Sequence, residues 1–411
     1  MLGRKFGWIF AVSPILGIYM IGVPFLSLSQ ILLICMSVFC IVRVKRAYKV
    51  YFKAFIAYAI IISLFRFAEP WVIIGDCIHD ILSLVLFFFI LSSLITYADY
   101  EIFKRTIIKL GVVSLAFFLL QYTLSLFGIR ISGIIPFMPL ANGVPTSTFI
   151  NAQIGRERLS GLFQEPAHYA EFMVIVLIFI LFSSMKNLTK ISLATLVSLS
   201  ILMSNSASGF AMLIVIWSIW LFVFHLKSSK HKALYLIVMI AVAFMIIVIA
   251  ANNESIIKMA GRVNELSGET ETAYGHSTYI RVVRGYIPFM EGSIIDQIFG
   301  NGLGTIMSYV KGHPQSEYLL LTEFNPRWIN GIQYLLFSTG IFGGILYFSQ
   351  ILWFSFRTSS VGRALAIYLI LLFLSSDSFF SVDMVLYAII MEMSVTKNKK
   401  YSNDFSCCTN I

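Results

Sequence analysis

The stretch Ile78-His-Asp-Ile-Leu-Ser-Leu-Val-Leu-Phe-Phe-Phe-Ile-Leu-Ser-Ser-Leu-Ile-Thr-Tyr97 decides the fold class. A bilayer core is crossed by a helix of about 20 predominantly apolar residues, and this run has that length and character. Twelve such runs lie along the chain, at roughly 7-26, 28-42, 51-67, 78-97, 107-127, 167-185, 191-206, 209-226, 233-251, 330-354, 361-376 and 378-394. Of the 411 residues 58% are hydrophobic and 12% charged, with a mean hydropathy of +0.86, so the length does not read as two or three soluble domains. The expected fold is all-α, a polytopic membrane protein of about twelve transmembrane helices.

Charge tests this segmentation. Laid end to end, the linkers alternate in character. Arg43 to Lys49, Lys104 to Lys109, Lys186 to Lys190, Lys227 to Lys232 and Arg357 to Arg363 are basic. With Arg4, Lys5, Lys53, Lys397, Lys399 and Lys400 they hold 20 of the 30 Lys and Arg residues. The positive-inside rule places this set, and both termini, in the cytoplasm. The other ten cations are Arg66, Arg130, Arg156, Arg158, Lys258, Arg262, Arg281, Arg284, Lys311 and Arg327, eight arginines to two lysines, against 14 Lys and 6 Arg inside. Either cation would satisfy topology. Arginine is the better bidentate, permanently charged ligand for phosphate and carboxylate, so the outer bias points to an anionic ligand. The net charge of +10 follows from the inner loops and anionic lipid, and no nucleic-acid partner is expected.

Cysteine usage excludes a disulfide framework: Cys35 and Cys40 lie in an apolar run, Cys407 and Cys408 in the tail, and Cys77 is the outward one. The first apolar run lacks a small-residue cleavage site and reads as a retained helix. Residues 1-251 thus hold helices 1-9, with a medium outer loop at 128-166. A large outer loop spans 252-329, residues 330-394 hold helices 10-12, and 395-411 form a cytoplasmic tail. In the medium loop Pro136, Pro139 and Pro145 argue against a continuous helix. The large loop recurrently carries aromatic residues, Ile and Leu and is expected to fold as a cap. Within it Ser277 to Glu291 is expected to be helical up to a disturbance at Pro288, which would put Arg281 and Arg284 on one face.

Three stretches together resemble a family. Arg158-Leu-Ser-Gly-Leu-Phe-Gln-Glu165-Pro166 opens a transmembrane helix. Arg281 is followed after ten residues by Gly292, then by Phe299-Gly-Asn-Gly-Leu-Gly304. Asn330-Gly-Ile-Gln-Tyr-Leu-Leu-Phe-Ser-Thr-Gly340-Ile-Phe-Gly-Gly344 closes the large loop. In this order the set resembles the O-antigen and exopolysaccharide repeat-unit polymerases (Wzy-type), relatives of the O-antigen ligases, whose helical bundle is GT-C-like. The motifs cover about residues 156-172 and 281-344. Ligases carry a His-Asn pair at the helix after the large loop; here Ile329 precedes Asn330, and the nearest loop histidine is His313.

The resemblance implies glycosyl transfer between polyprenyl-diphosphate-linked oligosaccharides at the outer face of a bacterial cytoplasmic membrane, without cofactor or metal, with membrane lipid and a chain-length regulator as further partners. The alternatives are an O-antigen ligase and a lipid-linked sugar flippase or transporter. Such a site must hold a diphosphate leaving group as its charge grows and orient one hydroxyl for attack. Arg281 and Arg284 suit the diphosphate, or equally contact lipid headgroups. Arg158, with Arg156 beside it, is a second clamp or an interfacial anchor. Glu165 is a general base or a helix-start residue before Pro166. Glu171 is an intramembrane carboxylate and His168 a rim residue for substrate or local bonding. Asn301 and Asn330 are candidate substrate contacts. The glycines around Asn301 lack the strand-turn-helix setting of a nucleotide loop and read as a flexible turn. Ser204 to Gly209 reads as a tight outer turn that packs two helices closely. The six scattered histidines show no metal-ligand spacing.

Overall fold

A computed structural model of the chain describes residues 2–20, 26–44, 48–140, 145–155, 158–221, 284–313, 316, 329–374, 379–380, 386 and 388–395. The run 233-251, the basic linker 227-232, Arg156, Arg281 and the tail from 396 lie outside them. Among the described residues the elements are helices: α1 Leu2–Leu16, α2 Leu28–Arg43, α3 Lys53–Phe65, α4 Ile74–Tyr97, α5 Tyr100–Leu126, α6 Thr146–Gly155, α7 Pro166–Leu181, α8 Asn187–Met203, α9 Ala207–Ile219, α10 Ile287–Glu291, α11 Ile294–Phe299, α12 Ile306–Gly312, α13 Gly331–Arg357 and α14 Ser360–Phe373. Residues 388–395 are helical as well.

Several boundaries differ from expectation for local reasons. The run 7-26 is not one helix. Its helix, with Pro14 inside, stops at Leu16, and Tyr19 and Met20 pair instead with Leu140 and Ser27. The Tyr19 hydroxyl accepts the Ile135 N–H at 3.0 Å, so the end of the first apolar run belongs to the medium loop. α5 starts seven residues before the expected 107, because Asp99 caps it by accepting the Ile102 N–H. Pro288 does not disturb a helix. It lies in the first turn of α10, where its missing N–H has no partner to lose, after a 3-10 turn at Arg284–Tyr286.

Side-chain contacts give the helix directions. Gly7 near the start of α1 abuts Phe103 near the start of α5, so these two run parallel. Phe52 and Phe55 at the start of α3 meet Phe354 and Tyr347 towards the end of α13, and Phe88 of α4, so α3 opposes both. Tyr169 of α7 donates to Ser200 near the end of α8. Gly209 and Trp220 contact Ala170 and Leu181, which sets α9 parallel to α7. Arg43, Lys53, Lys104, Arg105, Lys109, Lys186, Lys190, Arg357 and Arg363 therefore occupy one end of the bundle. Arg66, Arg130, Arg158 and Arg284 occupy the other.

Among the described residues α4, α5 and α13 are long and apolar enough to cross a membrane, and six shorter helices are also apolar. Ile61, Leu64, Leu82, Val113, Leu120, Leu199, Ile214 and Ile345 are exposed on their outer faces. Such a coat of large apolar side chains suits acyl chains rather than water, and the chain is a helical membrane-embedded protein. Its centre is α7, buried without interruption from Tyr169 to Leu181 and packed against α5, α8, α9 and α14. Lipid tails offer no hydrophobic drive for helix association, so small residues bring the helices together. A Cβ on Gly111 would fall 2.5 Å from Val176, and one on Gly209 would fall 2.4 Å from the Ala170 Cβ.

Candidate functional site

The loop ahead of α7 is held by two buried glutamines. Gln121 of α5 accepts the Gly161 N–H at 2.9 Å and donates to the carbonyls of Ile131 (3.0 Å) and Gly161 (3.4 Å). Gln153 of α6 accepts from Ser132 and donates to the Phe163 carbonyl at 3.0 Å. Gly161, at φ +58° and against the Tyr169 ring, lets the chain turn there. Apolar runs rarely carry such residues, and Gln121 inside 107-127 was the visible signal for a role that motif reading missed.

On this frame Arg158 is half-buried and donates through Nη2 to the Asn205 carbonyl at 2.7 Å, tying the motif to the turn between α8 and α9. Asn205 takes a left-handed φ of +52°, and Ser206 caps α9 by accepting the Gly209 N–H. Glu165 is the N-cap residue of α7, yet its carboxylate makes no capping hydrogen bond. The carboxylate is half-buried at the start of the helix. His168 is exposed in the first turn, whereas Glu171 is buried one turn deeper.

The second constellation surrounds the start of α13. Asn330 is buried and forms a capping box with Gln333: each side chain accepts the other's backbone N–H at 2.9 Å. The turn Arg284–Tyr286 rests on it so closely that a Cβ on Gly285 would lie 2.0 Å from the Gln333 Oε1. The Asn301 amide nitrogen and the Gln333 amide nitrogen are buried donors with no acceptor among the described residues. Beside them Tyr334 donates to Asp80 and accepts the Gly304 N–H at 2.9 Å, while Asp80 also meets His79 at 3.0 Å.

The glycine run is not a flexible turn. Asn301 and Gly302 donate to the Phe337 and Ser338 carbonyls at 2.9 and 2.8 Å. Gly300, Gly302 and Gly304 have φ of +91°, +87° and +71°, conformations that side chains oppose. Its clamp is Arg66 at the end of α3, which pairs with Asp296 and donates to the Gly300 carbonyl at 2.7 Å. The Asp296 carboxylate also accepts the Ser293 N–H at 3.1 Å and the Ser293 hydroxyl at 2.7 Å. Arg66 stood in the outer set without a role, because a contact 230 residues away leaves no local trace.

Both constellations lie at the arginine end and flank the last turns of α14. Tyr368 donates to the Glu171 carbonyl at 2.8 Å, and five residues on Phe373 packs on Gly331. Of the residues singled out in sequence, Arg158, Glu165 and His168 gather at the mouth of α7. Arg284 and Asn330 lie at the start of α13, whereas Asn301 bonds the Phe337 carbonyl about two turns further along it. Among the described residues no cluster of His, Cys, Asp and Glu could hold a metal ion.

Comparison with known proteins brings no second line of descent to this reading: no protein-family model matches the chain, and no curated protein matches it.

Proposed function

We propose that the chain is a twelve-span membrane glycosyltransferase with both termini in the cytoplasm. It polymerises polyprenyl-diphosphate-linked oligosaccharide repeat units at the outer face of a bacterial cytoplasmic membrane. The observation that carries the reading is the grouping of the Arg158-to-Pro166 motif and the Arg284 turn at the end of the bundle opposite the lysines. In the reaction Arg281 and Arg284 neutralise the diphosphate as the glycosidic bond breaks, and Arg158 positions the same headgroup. Glu165 takes the proton of the attacking sugar hydroxyl, a role suited to a helix-start carboxylate without a capping bond. The energy comes from the donor's own diphosphate linkage, so no nucleotide is needed beyond the cytoplasm.

Deleting the chain from its cell and separating the surface glycans on a carbohydrate gel tests the proposal. A polymerase deletion leaves single repeat units on the final acceptor. Polymers stranded on the carrier would indicate a ligase instead, and single units trapped on the cytoplasmic side a flippase.

A further inference from the structure

The segment that sequence assigns to the outer loop carries a surface unsuited to water. Met290, Ile294 and Ile295 are 67%, 74% and 67% exposed, and Ile298 and Phe299 are exposed beside them. The polar residues of α11 turn the other way: Asp296 meets Arg66, and Gln297 donates to the Met290 and Gly292 carbonyls. The apolar side continues onto exposed Ile61, Leu64 and Phe65 of α3 and Ile341, Phe342 and Ile345 of α13.

Depth can be measured along two helices from the lysine end. Arg66 follows Lys53 by 13 residues, which at 1.5 Å per residue places it only about 20 Å above that lysine. Gly340, whose backbone touches Ile298, precedes Arg357 by 17 residues, a rise of about 25 Å. Arg357 stacks over Trp353 at 4.4 Å, a pairing typical of a membrane interface. Hydrocarbon is about 30 Å thick. Both helices therefore put α11 and the turn after it below the far boundary.

Non-helical backbone survives at that depth only if the protein itself satisfies its polar groups. From Gly300 to Gly304 the five consecutive N–H groups donate to Asp296, Phe337, Ser338, Ser63 and Tyr334. The carbonyls of Phe299, Gly300, Asn301 and Gly302 accept from Tyr58, Arg66 and Thr305. These backbone groups require no water. Of the charged side chains here, Arg66 is saturated by Asp296, Glu69 and the Gly300 carbonyl, and Glu291 at the start of the segment accepts the Ser316 hydroxyl at 2.6 Å.

We propose that residues 290–304 form a re-entrant element seated within the bilayer, with Ile294, Ile295, Ile298 and Phe299 against lipid acyl chains. The element completes α3, which is too short to cross alone. The proposal does not depend on the enzymatic reading.

Nitroxide accessibility in liposomes tests it. The label is placed at Ile295→Cys in a full-length chain whose five cysteines are replaced by serine. Ile345→Cys serves as the lipid reference and Asn187→Cys as the water reference. The expected ratio of relaxation by oxygen to relaxation by a water-soluble nickel chelate matches that of Ile345. A ratio matching Asn187 overturns the proposal. Unmodified protein supplies a second measurement that needs no variant. A lipid-dissolved diazirine should label the peptide around Ile294 and Ile295 on illumination. Absence of label there, with oxidation of Met290 by hydroxyl radicals from the water phase, also overturns it.

Discussion

At the scale of single residues the pairing of Arg66 with Asp296 fastens a loop to a helix 230 positions earlier in the chain. Both side chains are mostly shielded, and removing Asp296 leaves Arg66 with only the more distant and more exposed Glu69, at 3.8 Å. Asp296→Asn is expected to cost about 3 kcal/mol, read as a lowered Tm in detergent. Arg66→Lys should recover only part of the loss caused by Arg66→Ala, since lysine keeps the charge but not the fork that also reaches the Gly300 carbonyl. On the proposed chemistry, Glu165→Gln should leave Tm and membrane content unchanged while abolishing chain elongation. Elongation at the wild-type rate would return Glu165 to a helix-start role alone.

At the scale of elements, what the sequence made legible was local. Glu165-Pro166 announces the start of α7, and Ser206 marks the start of α9 before a glycine that packs on Ala170. What it hid was set by distant partners. Nothing around Leu16 tells that Tyr19 and Met20 leave the helix to join Leu140 and Ser27. Likewise the glycines at 300–304 look like a loose turn until α13 is placed beneath them, where Asn301 and Gly302 bond its carbonyls. Gly340 is the counterpart in α13. Its φ of +66° interrupts the helical geometry, and a Cβ there would lie 2.3 Å from the Ile298 carbonyl oxygen. Gly340→Ala should destabilise the fold by at least the 1 to 3 kcal/mol typical of strained backbone, roughly, seen as a smaller monodisperse fraction on size exclusion in detergent. Gly344→Ala, where the nearest side-chain atom is 3.3 Å away at the tip of a leucine, should be much milder.

At the scale of the whole molecule the basic linkers among the described residues fall at one end of the bundle, in keeping with the alternation read from the sequence. The helix count is less legible, because α3 and α14, at 13 and 14 residues, are shorter than the roughly 20 residues that a single crossing needs. For the proposed topology, an enzyme reporter active only in the cytoplasm should work when fused after Lys186 and fail when fused after Arg130. The candidate site was legible as motifs but not as an assembly. Gln153 and Gln333, which help hold those motifs in place, carry no signature in one sequence, and Gln121 shows only as a polar residue in an apolar run. The most direct test of the central claim uses purified protein in lipid nanodiscs with a polyprenyl-diphosphate-linked repeat unit and no divalent metal. Wild type should build a ladder of lengthening glycans, and Arg281→Ala and Arg284→Ala, equally folded, should leave single units. A wild-type ladder from both arginine variants would contradict the account.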